Sequence, residues 1–171
     1  MTAIPRIETE RLLLRAPTRE DFAPVAAFYA TDASRFVGGP LEERTVWYWF
    51  SSGIGDWDLL GFGSWAVEER ATRTLAGLVW LNHPPGFPER EMGWLLLPGF
   101  EGRGFATEAA RAARGHAYGT LGWRTAVSYV NAENHRSCAL ARRLGAREDP
   151  DAPRPGPDGL VFRHPSPEAL S

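Results

Sequence analysis

Between Met92 and Trp123 the chain reads MGWLLLPGFEGRGFATEAARAARGHAYGTLGW, and no other stretch limits its architecture as strongly. An apolar run of strand length is stopped by Pro98, a turn carries Gly102 and Gly104, and an alanine-rich helical segment follows. A strand handed through a glycine turn to a helix is one half of a βαβ crossover, which puts the molecule in a mixed α/β class. The same junction gathers backbone N–H groups at the positive end of a helix dipole, a geometry that attracts anions.

The side chains narrow the choice of anion. A mononucleotide loop needs Gly-Lys-Ser/Thr, because the lysine reaches the phosphates and the hydroxyl reaches magnesium. Here Phe105 and Ala106 follow Gly104, so that reading fails. A dinucleotide fingerprint needs a third glycine where Thr107 stands, an acid that Glu133 supplies only loosely, and more chain than remains. Two readings stay open on the residues alone. The turn is a metal-free pyrophosphate cradle with the N–H groups of residues 102–107 pointing into one hollow, or it is a connector that holds nothing.

The rest of the chain supplies the frame. Its 171 residues suit one domain with a proper core, and 43% hydrophobic and 23% charged residues are ordinary for a soluble globular protein. A formal net charge of -2 gives no global attraction to nucleic acid or an anionic membrane. The one cysteine, Cys138, excludes an intrachain disulfide framework and a cysteine-rich zinc site. No apolar run approaches the roughly 20 residues of a membrane span. The opening MTAIPRIETERLLLR lacks a signal-peptide core, so the expected location is cytoplasmic.

Local signals give the order of elements. ERLLLRAP reads as a strand, and TREDFAPVAAFYA as a helix opened by a Thr18/Asp21 capping box with Phe22, Val25, Ala26 and Tyr29 on one face. LEERTVWYWFSSG reads as a short helix ending near Gly53. GSWAVEE and TLAGLVWLN form a hairpin, and REMGWLLLP is the next strand. After the alanine-rich helix come the strand RTAVSYV, a helix with Asn134 as N-cap and Gly145 as C-cap, and the strand GLVFRHP. The result is a mixed α/β single domain with a central meander and a crossover. Seven tryptophans are a high count, several of them within Val46–Trp65. Each fills the core or lines a pocket for an apolar or planar ligand.

In order and spacing, this chain resembles the GCN5-related N-acetyltransferases. Their cofactor loop reads Gln/Arg-x-x-Gly-x-Gly/Ala, here Glu101 to Ala106, after Glu91-x-Gly93-Trp94 and the apolar strand. It is most similar to the branch of ribosomal-protein N-terminal acetyltransferases. TERLLLR (Thr9 to Arg15), Asp21-Phe22, GFATEA (Gly104 to Ala109) and N-x-x-S (Asn134 to Ser137) all match that branch. The resemblance spans about residues 7–165 and implies one N-acetyltransferase domain over 1–171. It also implies a mostly antiparallel sheet, flanked by about four helices and splayed between the strands holding Glu91–Leu97 and Arg124–Val130.

The resemblance further implies acetyl-CoA in that gap. The pantetheine arm would pair with backbone near Leu96 and Leu97, and Asn134 would bond it. The diphosphate would lie on the amides of Gly102, Arg103, Gly104, Phe105, Ala106 and Thr107. Glu101 stands where Gln or Arg is usual, and Arg103 is placed to offset it. An ammonium must lose a proton before it attacks, and Glu91 matches the family's carboxylate; its alternative is a solvated charge. The tyrosine that protonates the departing thiolate in many members is replaced by Ala141, and the branch this chain resembles implies Ser137, or water held by it, as the substitute; the alternative for Ser137 is a helix-capping serine. His83 and His135 are reserve bases, and Cys138 reads as a small buried residue.

The resemblance therefore implies direct transfer of an acetyl group to a primary amine, on a protein N-terminus or a small molecule. The net charge of -2 and the lack of a membrane-length apolar run separately lead to the expectation of neither nucleic acid nor membrane as partner. The acceptor would lie near SRFVGGP and the tryptophan cluster. Two rivals accompany this reading: an acyl-CoA-binding sensor or interaction module without turnover, and an interaction domain pairing as a homodimer through an aromatic face.

Overall fold

A computed structural model describes residues 3–171. Its strands are β1 (Ile7–Glu8), β2 (Leu12–Arg15), β3 (Ser64–Glu69), β4 (Thr74–Asn82), β5 (Glu91–Leu96), β6 (Val127–Val130), β7 (Arg147–Glu148) and β8 (Leu160–Arg163). They form one sheet in the order β1-β2-β3-β4-β5-β6-β8-β7, and every pairing is antiparallel except β5 with β6. The helices are α1 (Arg19–Tyr29), α2 (Glu43–Leu60), α3 (Phe105–Gly119), α4 (His135–Arg143) and α5 (Pro167–Leu170), and a 3-10 segment, Asp32–Val37, joins α1 to α2. This is the expected mixed α/β domain. The two-residue strands β1 and β7, the 3-10 segment and α5 add to the expected elements.

Both faces of the sheet are covered. On one, Leu12, Leu14, Trp65, Val67 and Met92 pack with Ala106, Ala109, Ala110, Ala113 and Ala117. Those alanines recur at i, i+3, i+4, i+7 and i+11, so α3 presents one continuous stripe of small side chains to the strands and lies close against them. On the other face, Val25, Phe28 and Tyr29 of α1 and Val46 and Phe50 of α2 cover Ala66, Leu78 and Leu95. The α1 capping box forms as expected: the Thr18 N–H donates to Asp21 Oδ2 at 2.7 Å, and Arg15 clasps the same carboxylate at 2.7 and 2.9 Å.

One element departs from expectation. Helix α2 does not stop near Gly53 but runs to Leu60, because Val46, Phe50, Gly53 and Trp57 fall on its buried face. That packing outweighs the roughly 1 kcal/mol per glycine that helix propensity opposes. Among the described residues, no helix is long and apolar enough to cross a membrane.

Candidate active site

Strands β5 and β6 share one registered pair, Glu91 with Val127, and then part. In the antiparallel ladder on the other side of β5, the Leu97 N–H donates to Ala76 O at 2.8 Å while Leu96 stands opposite Gly77. That register turns the N–H and C=O of Met92, Trp94 and Leu96 away from β4 and toward the gap. The Met92 carbonyl accepts from the Ser128 hydroxyl at 2.5 Å. Ser128 Oγ lies 2.9 Å from His164 Nε2, and His164 Nδ1 lies 3.3 Å from Arg114 Nη1, which also donates to Leu144 O at 2.6 Å. Burial and the Arg114 charge push His164 down to about 3, so its ring is neutral. The bonding pattern then puts its hydrogen on Nε2, donating to Ser128, and leaves Nδ1 to accept from Arg114. This buried chain pins the point where the strands separate.

The gap leads to the glycine turn. Gly102 and Gly104 have φ of +75° and +80°, values in which a Cβ is strained. Among the described residues, no protein acceptor takes the backbone N–H groups of Gly102, Arg103, Gly104, Phe105, Ala106 or Thr107. These six groups lead into the first turn of α3, at the positive end of its dipole. The turn is anchored from outside. Glu108 accepts from Thr9 Oγ1 at 2.6 Å, from the Arg11 N–H at 2.8 Å and from Arg11 Nε at 2.8 Å, while Arg11 Nη1 donates to Arg103 O at 2.8 Å. The Arg11 and Arg103 guanidinium groups both lie over the Phe105 ring, 4.9 and 4.3 Å from its centroid.

A cavity of about 260 Å³ opens where the strands part, lined on one side by Trp94, Asn131, Asn134 and Ser137 and on the other by Phe36, Trp80, Phe87, Glu91 and Tyr129. Glu91 is 8% exposed, and burial pushes its carboxyl up to about 7, held back by the Trp80 indole N–H, the Asn82 side chain and the Tyr129 backbone N–H. Ser137 Oγ accepts from Trp94 Nε1 at 3.4 Å, and the Ser137 N–H donates to Asn134 Oδ1 at 3.1 Å, the expected helix cap. A larger hollow of about 370 Å³ lies at the β1–β2 edge among Arg6, Glu8, Arg15, Glu68 and Arg70. Its Arg15 is paired with Asp21 and Glu68 and its Arg70 with Glu8, and the glycine turn does not line it.

Comparison with known proteins agrees with this geometry. The profile described as Acetyltransferase (GNAT) domain matches residues 11–147. The chain belongs to the GNAT acetyltransferase family. An acetyltransferase from Agrobacterium tumefaciens str. C58 is 42% identical, with a TM-score of 0.92 and 96% of each chain covered. A spermidine N-acetyltransferase from Vibrio cholerae, solved with CoA and spermine, shares the fold at 21% identity and a TM-score of 0.74, covering 95% of this chain and 100% of the other. An uncharacterized N-acetyltransferase from Bacillus subtilis is 23% identical over 158 residues, 85% of this chain and 84% of its own.

In this GNAT domain the candidate residues fall into two groups and a strand edge. Glu91, Asn134 and Ser137 line one cavity, and Gly102 to Thr107 form one row of free amides. The expectation for Leu97 needs correction. Its N–H is taken by Ala76 O and its C=O accepts from the Phe100 N–H at 3.2 Å, so the backbone edge open to a ligand is that of Trp94 and Leu96. The reserve bases His83 and His135 are exposed and do not line the cavity. Cys138 is buried, and burial pushes its thiol up, away from nucleophilic use. The tryptophans of Val46–Trp65 do not line the cavity either: Trp57 and Trp65 are core, Trp47 and Trp49 are exposed, and the lining pair is Trp80 and Trp94.

Two further placements carry predictions. The Glu101 carboxylate turns back to accept from the Gly99 N–H at 2.7 Å, which takes its charge onto its own turn. The Arg103 guanidinium does not offset it but pairs with Glu69. Arg103→Ala is therefore expected to change the calorimetric Kd for acetyl-CoA by less than about threefold, since its guanidinium is held by the buried Glu69 carboxylate and the cradle is built from backbone amides. Gly93 is a different case, because a Cβ there would lie 2.2 Å from Trp80 Cε2. Gly93→Ala displaces the indole that faces Glu91, and kcat/KM is expected to fall about 10–100-fold in steady-state assays.

Proposed function

We propose that this chain is an N-acetyltransferase that moves an acetyl group from acetyl-CoA directly to a primary amine. The observation that carries this reading is the gap between β5 and β6, which joins a buried titratable carboxyl, Glu91, to a row of unclaimed amides at residues 102–107. The fit to coenzyme A is specific in kind. The free edge of Trp94 and Leu96 suits an extended amide-bearing arm, and the glycine turn suits a diphosphate that needs no metal. Asn134 would bond the arm through its side-chain N–H₂, since its Oδ1 already caps α4.

When bound, acetyl-CoA supplies a thioester carbonyl open to attack and a thiolate to leave. Glu91 takes the proton that the ammonium must lose, a role for which a carboxyl poised near neutrality is suited. Ser137 holds a proton at Oγ on the α4 side of the cavity. Because Trp94 Nε1 donates to that oxygen, the hydroxyl hydrogen is left free to be given. Ala141, at the position of the family tyrosine, is fully buried and offers no competing acid. The motifs at Thr9–Arg15, Gly104–Ala109 and Asn134–Ser137 support the ribosomal-protein N-terminal branch and a single catalytic domain over residues 1–171.

Calorimetric titration with acetyl-CoA, with NAD and ATP as controls, followed by thiol release over a panel of amines, tests the reading. Micromolar binding of acetyl-CoA alone with amine-dependent thiol release is the expected result. Binding without release for any amine would favour the sensor, and no binding would remove the cofactor assignment and the catalytic roles with it.

A further inference from the structure

The cavity wall on the Glu91 side differs chemically from the wall on the α4 side. Asn131, Asn134 and Ser137 supply the polar groups of the α4 side, and all three are already partly engaged: Asn131 Oδ1 accepts from the Glu133 N–H at 2.9 Å, Asn134 Oδ1 from the Ser137 N–H and Ser137 Oγ from Trp94 Nε1. The opposite wall is aromatic. Phe36 comes from the 3-10 segment, Trp80 from β4, Phe87 from the β4–β5 loop and Tyr129 from β6. Phe87 and Tyr129 meet edge to face at 5.6 Å, while Trp80 lies against Gly93. Among the described residues, Glu91 is the one carboxylate lining the cavity.

This arrangement selects among amines, and the selection rests on the acetyl-transfer reading above. We propose that the acceptor is a small monoamine whose amino group, on a short chain, reaches Glu91 while a planar apolar body lies among Phe36, Trp80, Phe87 and Tyr129. A polyamine needs a second carboxylate for its distal ammonium. Glu89 is engaged by Arg163 at 2.8 and 2.9 Å and Asp32 by Arg35 at 2.9 Å, and the exposed Glu133 does not line the cavity. A peptide N-terminus brings several N–H and C=O groups. Among the described residues, the one unpaired side-chain group this wall offers them is the Tyr129 hydroxyl, so most would be left without partners, which is costly once they are out of water. A cavity of about 260 Å³, shared with the transferred acetyl group, holds a ring-sized body.

The test uses the full chain with acetyl-CoA and three acceptors: 2-phenylethylamine, spermidine and an alanine-terminated tetrapeptide. The aromatic amine is expected to show kcat/KM at least about tenfold above the other two. Phe87→Ala and, independently, Phe36→Ala are each expected to raise KM for 2-phenylethylamine about tenfold while KM for acetyl-CoA stays within about twofold. Preference for spermidine or the peptide, or an unchanged amine KM in both folded variants, overturns the acceptor class and leaves acetyl transfer standing. Acetyl-CoA binding without turnover of any amine overturns the acceptor class in favour of the sensor. Absence of both acetyl-CoA binding and turnover overturns the transfer reading and this inference together.

Discussion

Replacing Glu91 by Gln is expected to lower kcat/KM for the amine by about 10²–10⁴-fold and to abolish the acid limb of its pH profile. Glu91 is buried at the one point where β5 and β6 pair, and burial pushes its carboxyl up to about 7. The ionised form is the base, so activity of the parent rises with pH through about 7, and protonation below that value removes the acceptor for the amine's proton. Glutamine keeps the volume and the contacts of Trp80 and Asn82 but accepts no proton. Steady-state kinetics between pH 5.5 and 9 check this. An acid limb that persists in the variant would assign the titration to another group.

The same substitution has a stability signature of opposite sign. The carboxyl titrates near 7 when folded and near 4.5 when unfolded, so between these values the folded state binds more protons. Stability therefore falls as pH rises from about 4.5 to about 7 and is flat above, amounting to a cost of about 3 kcal/mol at pH 8. Glu91→Gln removes that cost. The variant is expected to be more stable than the parent at pH 8 and to converge with it toward pH 4, as read from urea denaturation at each pH. A residue that destabilises its own fold in the ionised state while improving a reaction is the pattern expected of a functional group. A loss of stability in the variant at pH 8 would instead make Glu91 a structural anchor.

Local chemistry was the readable part of this sequence. The Thr18/Asp21 capping box, the Asn134 cap and the positive φ of Gly102 and Gly104 each depend on a few neighbouring residues, and each forms as those residues dictate. The end of α2 was not readable, because Gly53 is held in the helix by the buried face it shares with Phe50 and Trp57. Nor was the phase of the β4–β5 ladder, which decides that Leu96 and not Leu97 faces the gap, since a register is set across strands. Thr9, Arg11 and Glu108 sit in two separate stretches of family-like sequence. Only the fold shows that they are one hydrogen-bonded unit bracing the turn. Arg114 did carry a signal, because it follows Ala113 on the alanine stripe of α3, and that spacing marks a buried cation in need of partners such as Leu144 O and His164.

Gly104→Val is expected to weaken acetyl-CoA binding by about 10–100-fold, because the valine meets two obstacles at once. The backbone at Gly104 has φ +80°, which a β-branched residue resists, and the new Cβ would lie 3.3 Å from Arg11 Nη2. Arg11 cannot withdraw freely, since it holds Glu108 and the Arg103 carbonyl. The strain is relieved by rotating the peptides on either side of residue 104, which reorients the unclaimed amides around it. Gly102→Ala separates the two causes. At φ +75° with nothing within 4 Å of its Cβ, it tests backbone conformation alone, and about 1–2 kcal/mol of strain predicts a smaller loss of about 5–30-fold. Calorimetric Kd values for acetyl-CoA, with thermal unfolding as a control for folding, rank the two variants. The order Gly104→Val worse than Gly102→Ala is what a cradle braced by Arg11 requires. Unchanged affinity in both folded variants would place the diphosphate elsewhere and leave the row of amides to water.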